Sequence, residues 1–170
     1  MADTITIRIA APKDLAALDA LYRRSYPALL KAHYPPSVYV TAVPLLARAQ
    51  PRLMRSGQFF VAEDAGGALL GAGGWSFSAP QGGELKRTRG HVRHFAVDPS
   101  HVRRGIASAL MMAVKGQADA RGIARLDCLS TRMAVPFYEA QGFRVRGEID
   151  VPLRPGISFP AVSMRSQITS

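Results

Sequence analysis

The stretch FAVDPSHVRRGIASALM, Phe95–Met111, constrains this chain more than any other. An apolar strand end runs through an Asp-Pro turn, crosses two arginines and a glycine, and becomes an amphipathic helix. A strand that hands over to a helix within a few residues calls for helices packed on a sheet, so a mixed α/β architecture is expected. The first amides of that helix have no internal partner and sit at the positive end of its dipole. Both properties favour an anion. Gly105 carries no Cβ to keep a ligand off the backbone, and Ala107 is nearly as small. Arg103 and Arg104 add positive charge, and Ser108 adds a hydroxyl. At this point two readings stand: a solvated basic turn, and a cradle for phosphate.

The flanking sequence fills in the fold. Alternation in Ile5–Ala10 predicts a strand. A helix should follow from Pro12, with Leu15, Leu18, Leu21 and Tyr22 on one face, and Pro27 should end or kink it. Val38–Met54 reads as a second helix disturbed by Pro44 and Pro51. Gln58–Glu63 and Ala68–Ser78 read as a hairpin around DAGG, with Gly73 and Gly74 marking a bulge. After a polar loop, Ala79–Arg89, comes a strand over Gly90–Val97. A long helix then runs to about Arg121, closed by Gly122. Ala124–Ser130 is a strand, Met133–Gln141 a short helix, and Phe143–Leu153 with Ser158–Arg165 a strand pair around RPG. The pattern predicts one domain over residues 1–170, with a largely antiparallel sheet and helices on both faces.

Composition narrows the function. Twenty-two Lys and Arg against twelve Asp and Glu give a net charge of +10, which favours anionic partners. The charge is spread along the chain rather than gathered in a tail, so nucleic acid is not the expected partner. No apolar run reaches bilayer length, and MADTITIRIA has no export pattern, so a cytoplasmic location without membrane association is expected. Cys128 is the only cysteine, and the four histidines lack ligand spacing, so no metal is expected.

A second motif is AVPFYEAQGF, Ala134–Phe143. A short helix presents Phe137 and Tyr138 and stops at Gly142. Alone, a tyrosine there reads as core. With a strand, an R-R-G-I-A helix start and a further strand at the right remove before it, the chain resembles the GNAT N-acetyltransferase family, and the order of elements agrees from Ile5 to about Arg165. The resemblance implies an α/β fold with a central sheet of about six to seven strands, splayed between the fourth and fifth. It also implies acetyl-CoA as cosubstrate. By the same resemblance, Phe95, Ala96 and Val97 would offer backbone groups to the pantetheine arm. Arg103, Arg104, Gly105, Ile106, Ala107 and Ser108 would wrap the pyrophosphate, and Phe137 would line the same site. Tyr138 is similar to the tyrosine that protonates the departing thiolate. Two positions depart from the family pattern: Val102 where Gln or Arg is usual, and Met133 where Asn is frequent.

An amine acceptor must also lose a proton. In this resemblance His91 takes the place of the base or relay, with His94 and Glu84 behind it. Simple strand parity, absent a bulge, puts His91, Arg93, Phe95 and Val97 on one face and Val92, His94 and Ala96 on the other. Tyr26, Tyr34 and Trp75 are candidates to line the acceptor pocket, and the Pro155–Gly156 turn could pack against a second copy in a homodimer. The expected activity is direct transfer of an acetyl group to a primary amine, whether a small amine, an amino acid, or a peptide N-terminus or lysine. Two rivals remain: an acyl-CoA sensor without turnover, and a basic module that binds nucleic acid or ribosomes.

Overall fold

The computed structural model describes residues 4–168. Its elements, in chain order, are β1 (Thr6–Ile9), α1 (Leu15–Leu30), α2 (Pro36–Leu46), α3 (Pro51–Arg55), β2 (Phe59–Glu63), β3 (Leu69–Ser76), β4 (Arg89–Val97), α4 (Ile106–Ala120), β5 (Arg125–Ser130), α5 (Val135–Ala140), β6 (Arg144–Arg154) and β7 (Ile157–Gln167). The strands form a seven-stranded sheet in the order β1-β2-β3-β4-β5-β7-β6. Every pairing is antiparallel except β4 with β5, which run parallel. This is the mixed fold that the sequence predicts.

Alternating side chains divide the core between the two faces of the sheet. Phe60, Leu70, Trp75, Val92 and Leu126 pack under α4 with Leu110, Met111 and Val114, and Tyr138 and Phe143 join them from the α5 end. On the other face Phe59, Val61, Ala72 and Ala96 meet Leu18, Leu21 and Tyr22 of α1. Leu30 and Val43 of α1 and α2 cover Phe159 and Ala161 of β7.

Two helical boundaries differ from expectation. Of the two outcomes expected at Pro27, an end or a kink, the end does not occur, and α1 continues to Leu30. The proline costs one backbone donor, but its carbonyl still accepts from the Lys31 amide, and Leu30 is fully buried beyond it. The single helix expected over Val38–Met54 is two. The chain breaks at 47–50, where the Asp19 carboxylate accepts the Ala49 amide at 2.7 Å, and Pro51 restarts it at the first position of α3.

The feature that builds the site lies in β4. Ala72 pairs with Ala96 and Gly74 with Arg93, so β4 carries one residue more than β3 over that span. The extra residue makes a bulge, with His94 in the left-handed region at φ 57°. The bulge lies opposite Gly73, where the sequence places it, with the extra residue on β4, and Gly73 also allows close packing there. A Cβ on Gly73 would come within 2.4 Å of the Phe95 ring. The bulge also reverses the parity expected from simple alternation. Phe95 and Val97 pack with the α4 face, as Val92 does, while His91 and Arg93 point away from it.

Candidate active site

β4 and β5 are paired only at Arg89–His91 with Arg125–Asp127. Beyond those residues the strands separate, and a groove of about 470 Å³ opens between them. The Asp98 amide donates to Leu70 O at 2.8 Å, toward β3. The alternation of an antiparallel ladder then turns the backbone groups of Phe95 and Val97 the other way, toward the groove. Two tyrosines one helical turn apart on α1 hold this stretch. The Tyr22 hydroxyl donates to His94 O at 3.0 Å, and the Tyr26 hydroxyl donates to Phe95 O at 3.3 Å. The His94 ring stacks on both, 3.8 Å from Tyr22 and 5.6 Å from Tyr26 between centroids.

The far end of the groove is the start of α4. Gly105 caps it with φ 79°, and no side chain caps the helix. The first amides of α4 therefore face the groove mouth without a side-chain acceptor. Glycine is required at this position for its left-handed backbone. A Cβ there would meet nothing within 4 Å, so the space beside it is open to a ligand. Arg103 is also left-handed, at φ 64°, a conformation that costs a non-glycine residue about 1 kcal/mol.

The turn into α4 is pinned from below. The Asp98 carboxylate accepts from the amide and hydroxyl of Ser100 at 2.9 and 2.6 Å, and from Arg24 Nε at 2.9 Å. Burial pushes this carboxyl up, but the Ser100 and Arg24 contacts outweigh it and hold its pKa at about 2. Gln141, at the end of α5, donates to the Ser108 hydroxyl at 3.1 Å and ties α5 to the first turn of α4.

Among the residues anticipated from sequence, Phe95, Ala96, Val97, Arg103, Gly105, Ile106, Ala107, Ser108, Phe137, Tyr138 and Tyr26 all lie on the groove wall, while Arg104 does not. Val102 and Met133, the two departures, are groove residues too, and Val102 is 41% exposed.

Tyr138 is buried, edge-on to Phe95, Phe137 and Phe143. Burial raises its pKa well above 10, so it is a neutral phenol at any ordinary pH. The neighbouring Cys128 thiol is pushed up to about 12 by burial. Cys128 is therefore a thiol rather than a nucleophilic thiolate.

The two histidines part company at the bulge. His94 is in the groove wall, half-buried with its Nδ1 buried, and pushed down to about 4 chiefly by desolvation. Its Nε2 lies 2.7 Å from Leu46 O, which can only accept, so Nε2 carries the proton and Nδ1 does not. His91 is not in the groove. It lines a second cavity of about 150 Å³ on the opposite face of β4, with Gln81, Asp127, Leu129, Ile149 and Ser163. The two cavities share Val92 and Leu129 at the point where the strands part. Burial lowers the His91 pKa below 6.5, while the nearby Asp127 charge raises it.

Two expected acceptor residues lie elsewhere. Trp75 is fully buried in the α4 face, its indole donating to Gln117 Oε1 at 2.8 Å. It is core because β3 alternation turns it to that side. Tyr34 is buried against Phe159 and belongs to the α2–β7 packing. Its hydroxyl donates to Pro160 O and accepts from the Arg132 amide. Tyr22, which the sequence places on the apolar face of α1, is fully buried there and holds His94 O rather than lining the groove. Sequence reading missed Asp98 as the pin of the turn, and Asp127 beside His91.

A mixed sheet whose one parallel pair opens into a groove, closed by an uncapped helix start, defines an acyltransferase class of domain. The acetyltransferase (GNAT) domain model matches residues 38–164. The chain belongs to the GNAT acetyltransferase family. No curated protein matches it closely in sequence. Solved structures agree on the fold. The PaiA N-acetyltransferase from Thermoplasma acidophilum, determined with coenzyme A, superposes with a TM-score of 0.72 at 17% identity, over 96% of this chain and 99% of its own. A GCN5-related N-acetyltransferase from Rhodopseudomonas palustris gives 0.74 at 20% identity, over 98% of each chain. The ribosomal-protein-S18-alanine N-acetyltransferase from Escherichia coli gives 0.65 at 19%, over 98% of this chain and 96% of its own.

Proposed function

We propose that this acetyltransferase moves an acetyl group from acetyl-CoA to a primary amine by direct attack, with both substrates bound at once. The observation that carries the reading is the groove between β4 and β5, which ends at the uncapped amides of α4 and the left-handed Gly105. Such a helix start suits a pyrophosphate, and Arg103 on the same wall adds charge to it. The open backbone edge of β4 suits an extended arm carrying amide groups, in the manner of an added strand. Neighbouring folds determined with coenzyme A or acetyl-CoA support the choice of donor.

The residues then take these roles. The Val97 amide polarises the thioester carbonyl and stabilises the oxyanion as the amine nitrogen adds to the carbon. The carbon–sulfur bond breaks, and its electron pair leaves on sulfur. Tyr138 supplies the proton that turns the thiolate into a thiol, and burial keeps the phenol protonated until that step. His91, neutral at ordinary pH, accepts the proton lost by the amine, directly or through a water at the junction near Val92 and Leu129. No covalent acetyl-enzyme is needed, in keeping with a protonated Cys128.

Thermal-shift and thiol-release assays test the reading. Acetyl-CoA binds only the folded chain and must raise its melting temperature. CoA thiol must appear when an amine acceptor is present. A chain that binds acetyl-CoA but releases no thiol with amino acids, polyamines or peptides is a sensor, and the reading as an enzyme fails.

A further inference from the structure

The main groove joins the two faces of the sheet. Phe95, Val97, Phe137 and Tyr138, toward the α4 start, pack with the core under α4. Leu30, Leu129 and Met133, at the other end, pack with the core that α1, α2 and β7 build on the opposite face. A donor laid from the α4 start along the edge of β4 accounts for the first set. The second set stands beyond it and is left for the acceptor.

This second end is apolar and uncharged. Leu29 joins it from the last turn of α1, half-buried and outside the core clusters found among the described residues. A leucine that no core cluster takes up leaves apolar surface on the groove wall. His101 and Arg103 also line the wall, but both belong to the turn before α4. His94 is neutral, and its Nε2–H is engaged by Leu46 O. The Tyr26 hydroxyl is engaged by Phe95 O, and Thr131 adds one neutral hydroxyl. Arg132, next to Met133 in the chain, lies over the Tyr34 ring at 5.2 Å from its centroid and does not line the groove.

A charged side group set at this end would give up its water without gaining a counter-ion. An apolar group would instead exchange water for Leu29, Leu129 and Met133. Met133 suits that use, because an unbranched thioether adapts to the shape it meets.

We propose that the acceptor is a primary amine bearing an apolar, uncharged side group, and that Leu29, Leu129 and Met133 bind that group on the α1 face of the sheet. This rests on the N-acetyltransferase reading above and specifies its substrate class.

The test compares amines that share one reacting group and differ in the side chain. Thiol release from acetyl-CoA is measured with leucinamide, phenylalaninamide, glycinamide, argininamide and the α-amide of aspartic acid. Leucinamide or phenylalaninamide should exceed each of the other three by about tenfold or more in kcat/KM. Leu29→Glu should remove most of that preference through the acceptor KM, leaving the KM for acetyl-CoA unchanged. Met133→Glu, on a different element, should do the same and guards against a fold defect confined to α1. Hexanoyl-CoA is run beside acetyl-CoA with glycinamide as acceptor and should be no better a donor. A hexanoyl donor used about tenfold better would assign the apolar end to the acyl chain and overturn the proposal.

Calorimetry with isocaproamide, which is leucinamide without its amine, reads the site independently of turnover, with and without CoA present. Isocaproamide should bind the wild-type chain and bind about tenfold more weakly to Leu29→Glu. Charged or side-chain-free amides that react as well as the apolar ones, or isocaproamide that does not bind the wild-type protein, would also overturn the proposal. Failure of acetyl-CoA to bind while isocaproamide does bind would instead strike the proposed function and leave the apolar site standing.

Discussion

Tyr138 and His91 are the two side chains to which the proposed chemistry gives proton transfers, and each makes a distinct prediction. Tyr138→Phe keeps the ring among Phe95, Phe137 and Phe143 and removes only the hydroxyl. Turnover should fall by roughly 10²-fold or more, the usual scale for a lost general acid. Acetyl-CoA affinity should be unchanged, and stability should change by less than about 1 kcal/mol, since the ring stays packed. Single-turnover kinetics together with denaturant unfolding separate the two effects. If binding and turnover collapse together, the residue is structural.

For His91 the sign follows from its environment. Burial lowers the pKa below 6.5, and a base acts in its neutral form, so kcat/KM should be level through neutral pH and decline only on the acid side of 6.5. His91→Gln should remove that acid limb. A limb that persists unchanged in the variant assigns the titration to another group. Gly105→Val places a branched residue at φ 79° and puts bulk beside the open amides. Acetyl-CoA affinity should drop by about tenfold or more, while the fold loses about 1–2 kcal/mol from the strained backbone.

At the scale of the elements, the bulge in β4 organises the site, and two neighbours keep it in place. Gly73 gives Phe95 its place against β3. Gly73→Ala would set a Cβ within 2.4 Å of that ring, forcing strain of about 1–3 kcal/mol and moving Phe95 into the groove. Equilibrium unfolding reads the first effect and weaker acetyl-CoA binding the second. Asp98 pins the turn that carries Gly105. Its folded pKa of about 2 lies below that of an unfolded aspartate, so its contribution is present above about pH 4. That contribution should be lost as pH falls toward 2. Asp98→Asn should lower the melting temperature at pH 7 and flatten the acid decline between pH 4 and 2.

These elements also show what could be read in advance. The strand-turn-helix at Phe95–Met111 and the helix at Ala134–Phe143 were legible because periodicity and glycine placement are local signals. The side of the sheet on which His91 lies was not. It depends on one extra residue in β4, and β4 has no glycine or proline at His94 to mark it. Trp75 and Tyr34 were misplaced for a related reason. An aromatic residue in a strand or a helix junction looks the same in sequence whether it faces a pocket or a core. The continuation of α1 through Pro27 was hidden too, because the burial of Leu30 that favours it comes from β7, far along the chain.

At the scale of the whole molecule, the net charge of +10 now has partial locations. Arg103 stands at the helix start, and Arg89, Arg125 and Arg165 gather around Asp127 on the sheet. The first of these places suits the phosphates of the proposed donor. The wall of the main groove carries no acidic side chain among the described residues, so a polyanionic donor meets no opposing charge there. No helix among the described residues is long and apolar enough to cross a membrane.

The central claim is that the groove between β4 and β5 binds acetyl-CoA through the start of α4. Isothermal titration of acetyl-CoA into the wild-type chain and into Gly105→Val tests it most directly. The account predicts one molecule bound per chain, with affinity kept in Tyr138→Phe and weakened about tenfold in Gly105→Val. Absence of binding to the wild-type chain, or equal binding to wild type and Gly105→Val, would contradict it.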